Sequence, residues 1–528
     1  MEDIRYMEDG RESGKVYPRA HRNTCPAGGW TSSNKVWLVG AGPGAGELLT
    51  VKARRLLSEG DCIVYDRLVG EEVLSMIPAD KEMIAVGKSA GKHATPQEEI
   101  NRILIREAKL GKKVVRLKGG DPFLFGRGGE EAEALCQAKI PFEVVPGISS
   151  SLAVPAYNGI PVTHRDYVSD VHIVTGHHRA GKNQRIPYEA LVKTQGTLVF
   201  LMGVGALEEI MNGLSQAGMD CDTPAAILQQ GTTAKQRRLV ATVGTLAQRA
   251  RERQVKAPST IVVGEVCALA DTFDWYPRLP LFGEKLIVTR PQGRDTRLQD
   301  RLRELGAQVL TVPTIRTTPV RDEERLKEIE TEIKRLMKYQ VLVFTSPYGV
   351  ERFFELLLEN GGDVREVSHM RFAAIGQGTA DELRKRGIRA DYMPEHYDGA
   401  SLGKLLAREL SGRTRLLLAR SSRGGEEILR EIEKNPKLCY RDLAVYDTEF
   451  SMERRKMLRS FMEDGSVTGV IFTSSSTVEG FCRMLGDFPY ERVRAVCIGE
   501  KTRQAADSAG MRTEVAENAT VEALIACV

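Results

Sequence analysis

The sequence predicts an α/β chain built as two successive bodies, the second made of two similar lobes. Three observations carry that expectation. From Lys35 onward, short apolar runs of strand length alternate with longer helical segments, the pattern of sheets layered with covering helices. At 271–285 the rhythm breaks in DTFDWYPRLPLFGEK, dense in aromatics and proline, and restarts with KLIVTRP at 285–291. Beyond that break the chain repeats itself.

The elements follow in order. Residues 1–33 are polar, without period and rich in turn formers, and read as a mobile extension. Strands are expected at KVWLVG (35–40), CIVYD (62–66), KVVRL (113–117), FEVV (142–145), VHIVTG (171–176), TLVFLM (197–202) and TIVVGEV (260–266). Helices are expected at 51–60, after Thr50, and at 95–111. In the latter Thr95 reads as the cap, Glu98 as its capping-box partner and Gly111 as the stop. The first body then spans 34–273, a linker 274–284 and the second body 285–528. Within the latter, VFTSPYGVERFFELL (343–357) aligns with IFTSSSTVEGFCRML (471–485), and FAAIGQGTADELRKRGIRA (372–390) with RAVCIGEKTRQAADSAGMRT (494–513). KLIVTRP is echoed by RLLLARS (415–421). Two similar α/β lobes result, with a crevice between them as the expected ligand site.

Composition excludes several classes. Hydrophobic residues make up 42% and charged residues 28%, an ordinary globular balance. The net charge of +4 and the lack of any Lys/Arg block argue against nucleic acid. No apolar run approaches the roughly 18 residues of a membrane span. The N-terminus carries acids and no apolar core, unlike a signal peptide. The nine cysteines are scattered without a C-x-x-C, as in a reducing cytoplasm without disulfides or structural zinc. His177 and His178 are adjacent on a strand and point to opposite faces, so no metal site is expected.

Three glycine-rich loops follow strands. In VWLVGAGPGAGELLT (36–50), Gly40, Gly42 and Ala45 satisfy a dinucleotide fingerprint, with Asp66 placed as the ribose-binding acid. Pro43 removes an N–H from that loop, and the next helix starts only at Val51, so the helix terminus is not offered to a pyrophosphate. A nicotinamide enzyme, an unliganded turn and a loop passing over a flat, uncharged ligand all remain open on this motif alone. RLKGGDPFLFGRGGEE (116–131) and PGISS (146–150) add two more such loops. Together they suit an adenosyl group with ribose hydroxyls and an amino-acid tail.

In order, VGAGPG, VYDRLV, VGK, RLKGGDPFLFGRGGEE, VVPGISS, GIPVTHR and VTGHH resemble the uroporphyrinogen-III C-methyltransferases over about 35–275. VTRP, VFTS, IGQGTA, VYDT, IFTSSS and IGEKT, with the repeat, resemble uroporphyrinogen-III synthase. The synthase makes the methyltransferase's substrate, so the chain reads as a fusion of the two. The resemblance implies a class III tetrapyrrole methyltransferase fold of two lobes with S-adenosylmethionine in the cleft, S-adenosylhomocysteine as product, no metal, and a homodimer. Its implied activities are cyclisation of hydroxymethylbilane with inversion of the last ring, and methylation of uroporphyrinogen III at C2 and C7 to precorrin-2, for sirohaem or cobalamin.

By the same resemblance the cofactor residues are Pro43, Gly119, Gly120, Asp121, Leu124, Ser149, Ser150, Met202, Gly231 and Ala257. Ser149 stands where most relatives have Thr. Asp66 matches the proposed proton acceptor, Lys88 the proposed donor, and Tyr446 the tyrosine assigned to assist hydroxyl departure in the synthase. Arg116, Lys118 and Arg127 bring cations towards a substrate with eight carboxylates, or pair internally with Glu130 and Glu131. Thr379 and Thr502 hold equivalent repeat positions as carboxylate binders or as helix caps, and Ser346 and Ser474 are a second such pair. Arg290, Arg420 and Arg423 read either as contacts to propionates or as surface residues.

Overall fold

A computed structural model describes residues 34–87, 95–176, 186–290 and 296–528. The extension 1–33, Lys88, His177 and His178 lie outside these described residues. The described chain forms two compact units. One holds 34–40, Thr50–Leu68 and Lys81–Gly147; the other holds Ala41–Leu49, Val69–Asp80 and Ile148–Val528.

The first unit is a five-stranded parallel sheet of β1 (Val36–Gly40), β2 (Cys62–Tyr65), β3 (Glu82–Ala85), β4 (Val114–Lys118) and β5 (Phe142–Val145), in the order β3-β2-β4-β1-β5. Every residue of β1 and β4 is buried, as strands covered on both faces require. Helix α1 (Val51–Glu59) begins where expected, with the Thr50 hydroxyl accepting from the Ala53 N–H at 3.2 Å. Helix α2 (Glu71–Met76) belongs to the second unit. Helix α3 (Gln97–Lys109) departs from expectation at its start. Pro96 is its N-cap, in extended backbone without a side-chain cap, so Thr95 and Glu98 form no capping box. Its end follows expectation, with Gly111 at φ 85° and the Lys112 N–H reaching back to the Glu107 carbonyl. Helix α4 (Gly128–Gln137) completes the unit.

At the carboxyl ends of β1, β4 and β5 the backbones touch. A Cβ on Gly147 would stand 2.4 Å from the Gly120 oxygen and 2.6 Å from the Gly40 Cα. Gly40 and Gly147 are therefore demanded by close approach, and Gly120 (φ 68°) by its backbone conformation.

The second unit opens, after helix α5 (Ser150–Tyr157), with β6 (Val171–Thr175), β7 (Thr197–Leu201), β8 (Pro224–Gln229), β9 (Arg237–Thr242) and β10 (Ser259–Val263), in the order β6-β7-β10-β8-β9. Only β6 and β7 pair in parallel. The short strands β3, β8 and β9 went unforeseen, and β10 ends at Val263 before a 3-10 turn. The stretch 274–284 is no bare tether: the Tyr276 ring lies 4.7 Å from that of Tyr157 and 5.3 Å from that of Phe282.

Beyond it run β11 (Lys285–Val288), helix α6 (Arg297–Glu304), β12 (Gln308–Thr311), β13 (Ile315–Pro319), β14 (Val341–Phe344), helix α7 (Pro347–Glu359), β15 (Arg371–Ala374) and helix α8 (Gln377–Arg384). Next come β16 (Thr414–Ser421), β17 (Leu438–Phe450), β18 (Gly469–Phe472), helix α9 (Ser475–Leu485), β19 (Arg494–Cys497), helix α10 (Glu500–Ser508) and β20 (Arg512–Val515). They build two sheets, β12-β11-β18-β19-β20, all parallel, and β13-β17-β16-β14-β15, with β13 antiparallel at its edge.

The aligned repeat stretches fall on like elements, but a lobe is not a repeat. β11 of the first repeat pairs with β18 of the second, while β16 of the second pairs with β14 of the first. The two repeats exchange strands, and each lobe is assembled from both. Among the described residues no helix is long and apolar enough to cross a membrane.

Candidate active sites

The loop after β2 carries Asp66, with its side chain 29% exposed. Arg116 and Lys118, on alternate positions of neighbouring β4, reach it at 2.6 Å and 3.8 Å. Both cations are buried, and both also meet Oε1 of the fully buried Glu131, at 2.9 Å and 3.0 Å. Burial and the neighbouring Arg116 guanidinium pull the Lys118 ammonium below its ordinary pKa. Arg116 and Lys118 are thus both buried and paired internally, with Glu131 and Asp66. Arg127 is exposed and holds Glu130 at 2.7 Å. One carboxylate thus stands partly in water, fixed by two cations that a second carboxyl anchors.

Asp121 uses both oxygens on its own loop and its neighbour. One accepts from the N–H groups of Phe123 (2.8 Å) and Leu124 (3.0 Å), the other from Gly147 (3.1 Å). A Cβ on Gly119 would meet Leu68 at 2.9 Å. The loop's acid and glycines fix its shape.

In the second unit, Pro43 lies half-buried in the loop 41–49, whose N–H groups are held by side chains: Ala45 donates to Thr232 Oγ1 and Gly46 to Glu72 Oε2, both at 3.2 Å. Ser149 caps α5, bonding the Ser151 N–H and hydroxyl, and Ser150 is the first helical residue. Strands β7 and β8 flank antiparallel β10, which brings Met202, Gln230–Thr232 and Ala257 to one end of this sheet. Three non-glycine residues there occupy left-handed backbone: Met202 (φ 57°), Gln230 (φ 48°) and Thr232 (φ 65°). Such strain concentrates at ligand clamps. Met202 is also exposed, while Gly231 is buried, a Cβ there lying 2.5 Å from Val154.

In the synthase-like half, two residues chosen separately come together. The Ser346 hydroxyl lies 2.8 Å from the Tyr446 hydroxyl while accepting from the Gly349 N–H at 3.0 Å as the N-cap of α7. The Tyr348 ring stacks edge-on against that of Tyr446 at 4.7 Å. Ser474 is the equivalent cap of α9, in a capping box with Thr477. Thr379 and Thr502 are not caps: Gly376 and Gly499 take that position, and the threonines sit buried in the first turns of α8 and α10. Arg420 is buried in a bidentate pair with Asp442, both bonds 2.6 Å. Arg423 lies over the Phe450 ring at 4.7 Å, and Arg290 has a partner of its own.

Sequence reasoning missed Glu72, Thr232 and Arg303. Glu72 and Arg303 are buried and meet at 2.5 Å, and burial raises the Glu72 carboxyl above its ordinary pKa against the pull of Arg303. No signal marked them, since Arg303 sits in RLQDRLRE, a helix that reads as solvated charge. Among the described residues, Cys62, Glu82 and Glu107 are close enough to share a metal ion, but Lys112 takes both carboxylates, at 2.6 Å and 2.7 Å.

Comparison with known proteins places both halves. Residues 35–247 match the Tetrapyrrole (Corrin/Porphyrin) Methylases, and residues 296–526 match Uroporphyrinogen-III synthase HemD. The porphyrin biosynthesis protein HemD of Ruminiclostridium josui is 43% identical over 490 residues, 93% of this chain and 96% of that one. The S-adenosyl-L-methionine-dependent uroporphyrinogen III methyltransferase of Methanosarcina barkeri is 53% identical over 238 residues, 45% of this chain and 93% of that protein. Among solved structures, the uroporphyrin-III C-methyl transferase of Thermus thermophilus complexed with S-adenyl homocysteine is 41% identical and covers 44% of this chain and 99% of its own, with a TM-score of 0.39. The chain belongs to the family of the Ruminiclostridium josui porphyrin biosynthesis protein HemD, and is an enzyme that joins a tetrapyrrole methyltransferase domain to a uroporphyrinogen-III synthase domain.

Proposed function

We propose that residues 285–528 cyclise hydroxymethylbilane to uroporphyrinogen III with inversion of the last ring, and that residues 34–273 methylate that product at C2 and C7 to precorrin-2. The observation that carries the reading is the Tyr446–Ser346 hydroxyl pair. A phenol hydrogen-bonded to a capping serine at the start of a helix is poised to donate to a departing hydroxyl, and water leaves as the ring closes. Helix α8 starts beside α7 in the same lobe, where a Cβ on Gly378 would lie 3.7 Å from Pro347. Helix N-termini suit a substrate of many carboxylates.

For methylation, S-adenosylmethionine supplies the electrophilic methyl when bound. The strained residues Met202, Gln230 and Thr232 support its fit, with Gly231 and Ala257 at the same sheet end and Pro43, Ser149 and Ser150 elsewhere in that unit. In the first unit the assignment rests on Gly119, Gly120, Asp121 and Leu124. Asp66, held in place by Arg116 and Lys118, takes the proton that the macrocycle loses after its carbon has bonded the methyl. Lys88 is retained as the donor and Arg127 as a substrate contact. A homodimer through the methyltransferase part and a cytoplasmic setting complete the reading.

The test is anaerobic incubation with hydroxymethylbilane, with and without S-adenosylmethionine, followed by mass and isomer analysis. Type III uroporphyrinogen without the methyl donor and a dimethylated product with it are expected. The type I isomer alone would overturn the synthase reading; uroporphyrinogen III left unmethylated would overturn the other.

A further inference from the structure

Helix α2 is gripped from two sides. On one side lies the loop 41–49, where Glu72 Oε2 accepts from the Gly46 N–H at 3.2 Å, a Cβ on Gly46 would meet the Met76 methyl at 2.4 Å, and one on Gly70 the Gly44 oxygen at 2.4 Å. On the other side lie four donors from the synthase part. Lys285 meets Glu71 at 2.5 Å, Arg303 meets Glu72 Oε1 at 2.5 Å, the Thr311 N–H donates to Ser75 Oγ at 3.1 Å, and Arg454 donates to the carbonyls of Ile77 and Pro78 at 2.7 Å. All three cations are buried. Glu72 bonds both the loop and the synthase part directly.

We infer that the synthase part sets the position of the methyltransferase's cofactor loop through α2, with Arg303 as a positioning residue that acts by way of Glu72. This rests on the assignment of loop 41–49 to S-adenosylmethionine. A buried carboxylate whose cation is removed turns to other donors or takes a proton, and either change alters how it holds the Gly46 N–H. A cavity of about 150 Å³, lined by Ala45, Glu47, Thr232 and Arg303 among others, adjoins the pair, so the loop has room to shift. Arg303 follows β11, in the lobe that does not hold the Tyr446–Ser346 pair.

The experiment is calorimetric titration of the full chain with S-adenosylhomocysteine, alongside KM and kcat for methylation and the rate of hydroxymethylbilane cyclisation. Arg303→Met is expected to weaken S-adenosylhomocysteine binding about tenfold and to raise the KM for S-adenosylmethionine more than it lowers kcat. Cyclisation should continue at the wild-type rate. Arg303→Lys keeps a cation in place and should show the same change at smaller size; it remains testable where Arg303→Met does not fold. Wild-type affinity in every folded variant overturns the inference. An unmodified chain that binds no S-adenosylhomocysteine would instead overturn the cofactor assignment itself, and that titration is run first.

Discussion

Tyr446 and Ser346 allow the two activities to be separated by single atoms. Tyr446→Phe removes the phenol oxygen and leaves Ser346 its bond to Gly349. Cyclisation should fall about 100-fold, a usual contribution of a positioned acid, while methylation of supplied uroporphyrinogen III stays unchanged. Glycines give a second contrast. Gly147→Ala drives a methyl into the Gly120 carbonyl and should cost roughly 3 kcal/mol or more, whereas Gly129, in α4 with nothing within 4 Å, should gain about 0.5–1 kcal/mol on Gly129→Ala, both read by urea unfolding. Both glycines looked alike in the sequence. What separates them is the approach of another strand's backbone, which no local pattern encodes. Asp66 and Tyr446 stand in motifs that the sequence displays, and Glu130 and Glu131 were both on offer as internal partners; that Arg116 and Lys118 take Glu131 while Arg127 takes Glu130 depended on the placing of α4, a tertiary fact.

At the scale of elements, the serines of the two FTS turns make a matched pair. Ser346→Ala and Ser474→Ala should each lower stability by about 1 kcal/mol in thermal or urea unfolding, as lost N-caps do. Only Ser346→Ala should also slow cyclisation, since Ser346 alone of the two bonds Tyr446. Strand–helix alternation was readable at β1 and β4, which are buried on both faces and largely apolar, but not at β8, whose buried run PAAILQ opens on a proline. It failed at β9, RRLVAT, an edge strand with charged residues at its start. The α3 cap was misplaced because Thr95-Pro96 offers two candidates, and proline's fixed φ suits the residue that enters a helix from extended backbone.

At the scale of the molecule, the methyltransferase and synthase parts are joined by charge pairs as well as by chain. Asp464 receives Lys235 at 2.7 Å and lies 3.5 Å from Lys285. Burial pushes its carboxyl up, but hydrogen bonds from Lys235 and Ser466 and the two lysine charges outweigh that and hold it at about 2, against an ordinary 3.8. A carboxyl depressed in this way stabilises the folded chain fully above its ordinary pKa and loses that contribution as pH falls towards the folded value. Asp464→Asn should therefore be less stable than wild type at neutral pH, with the gap closing between about pH 4 and pH 2 in an acid-unfolding series. None of these joints was visible in sequence, where 274–284 looked like a tether; the repeat was visible, but not the exchange of strands between its copies.

That exchange has a consequence for synthesis. The Lys285 N–H bonds the Thr468 hydroxyl across a separation of 183 residues. On the ribosome the lobe of β13 to β17 can close while β11 and β12 still wait, side by side, for a neighbour that has not been made. Pairing over such a span is slow, and a chain stopped anywhere before Gly469 would leave the β11 edge uncovered, a template for joining a second copy of the same fragment. The last sixty residues act as the latch of the whole polypeptide, and a nascent chain becomes safe from its neighbours only when they emerge.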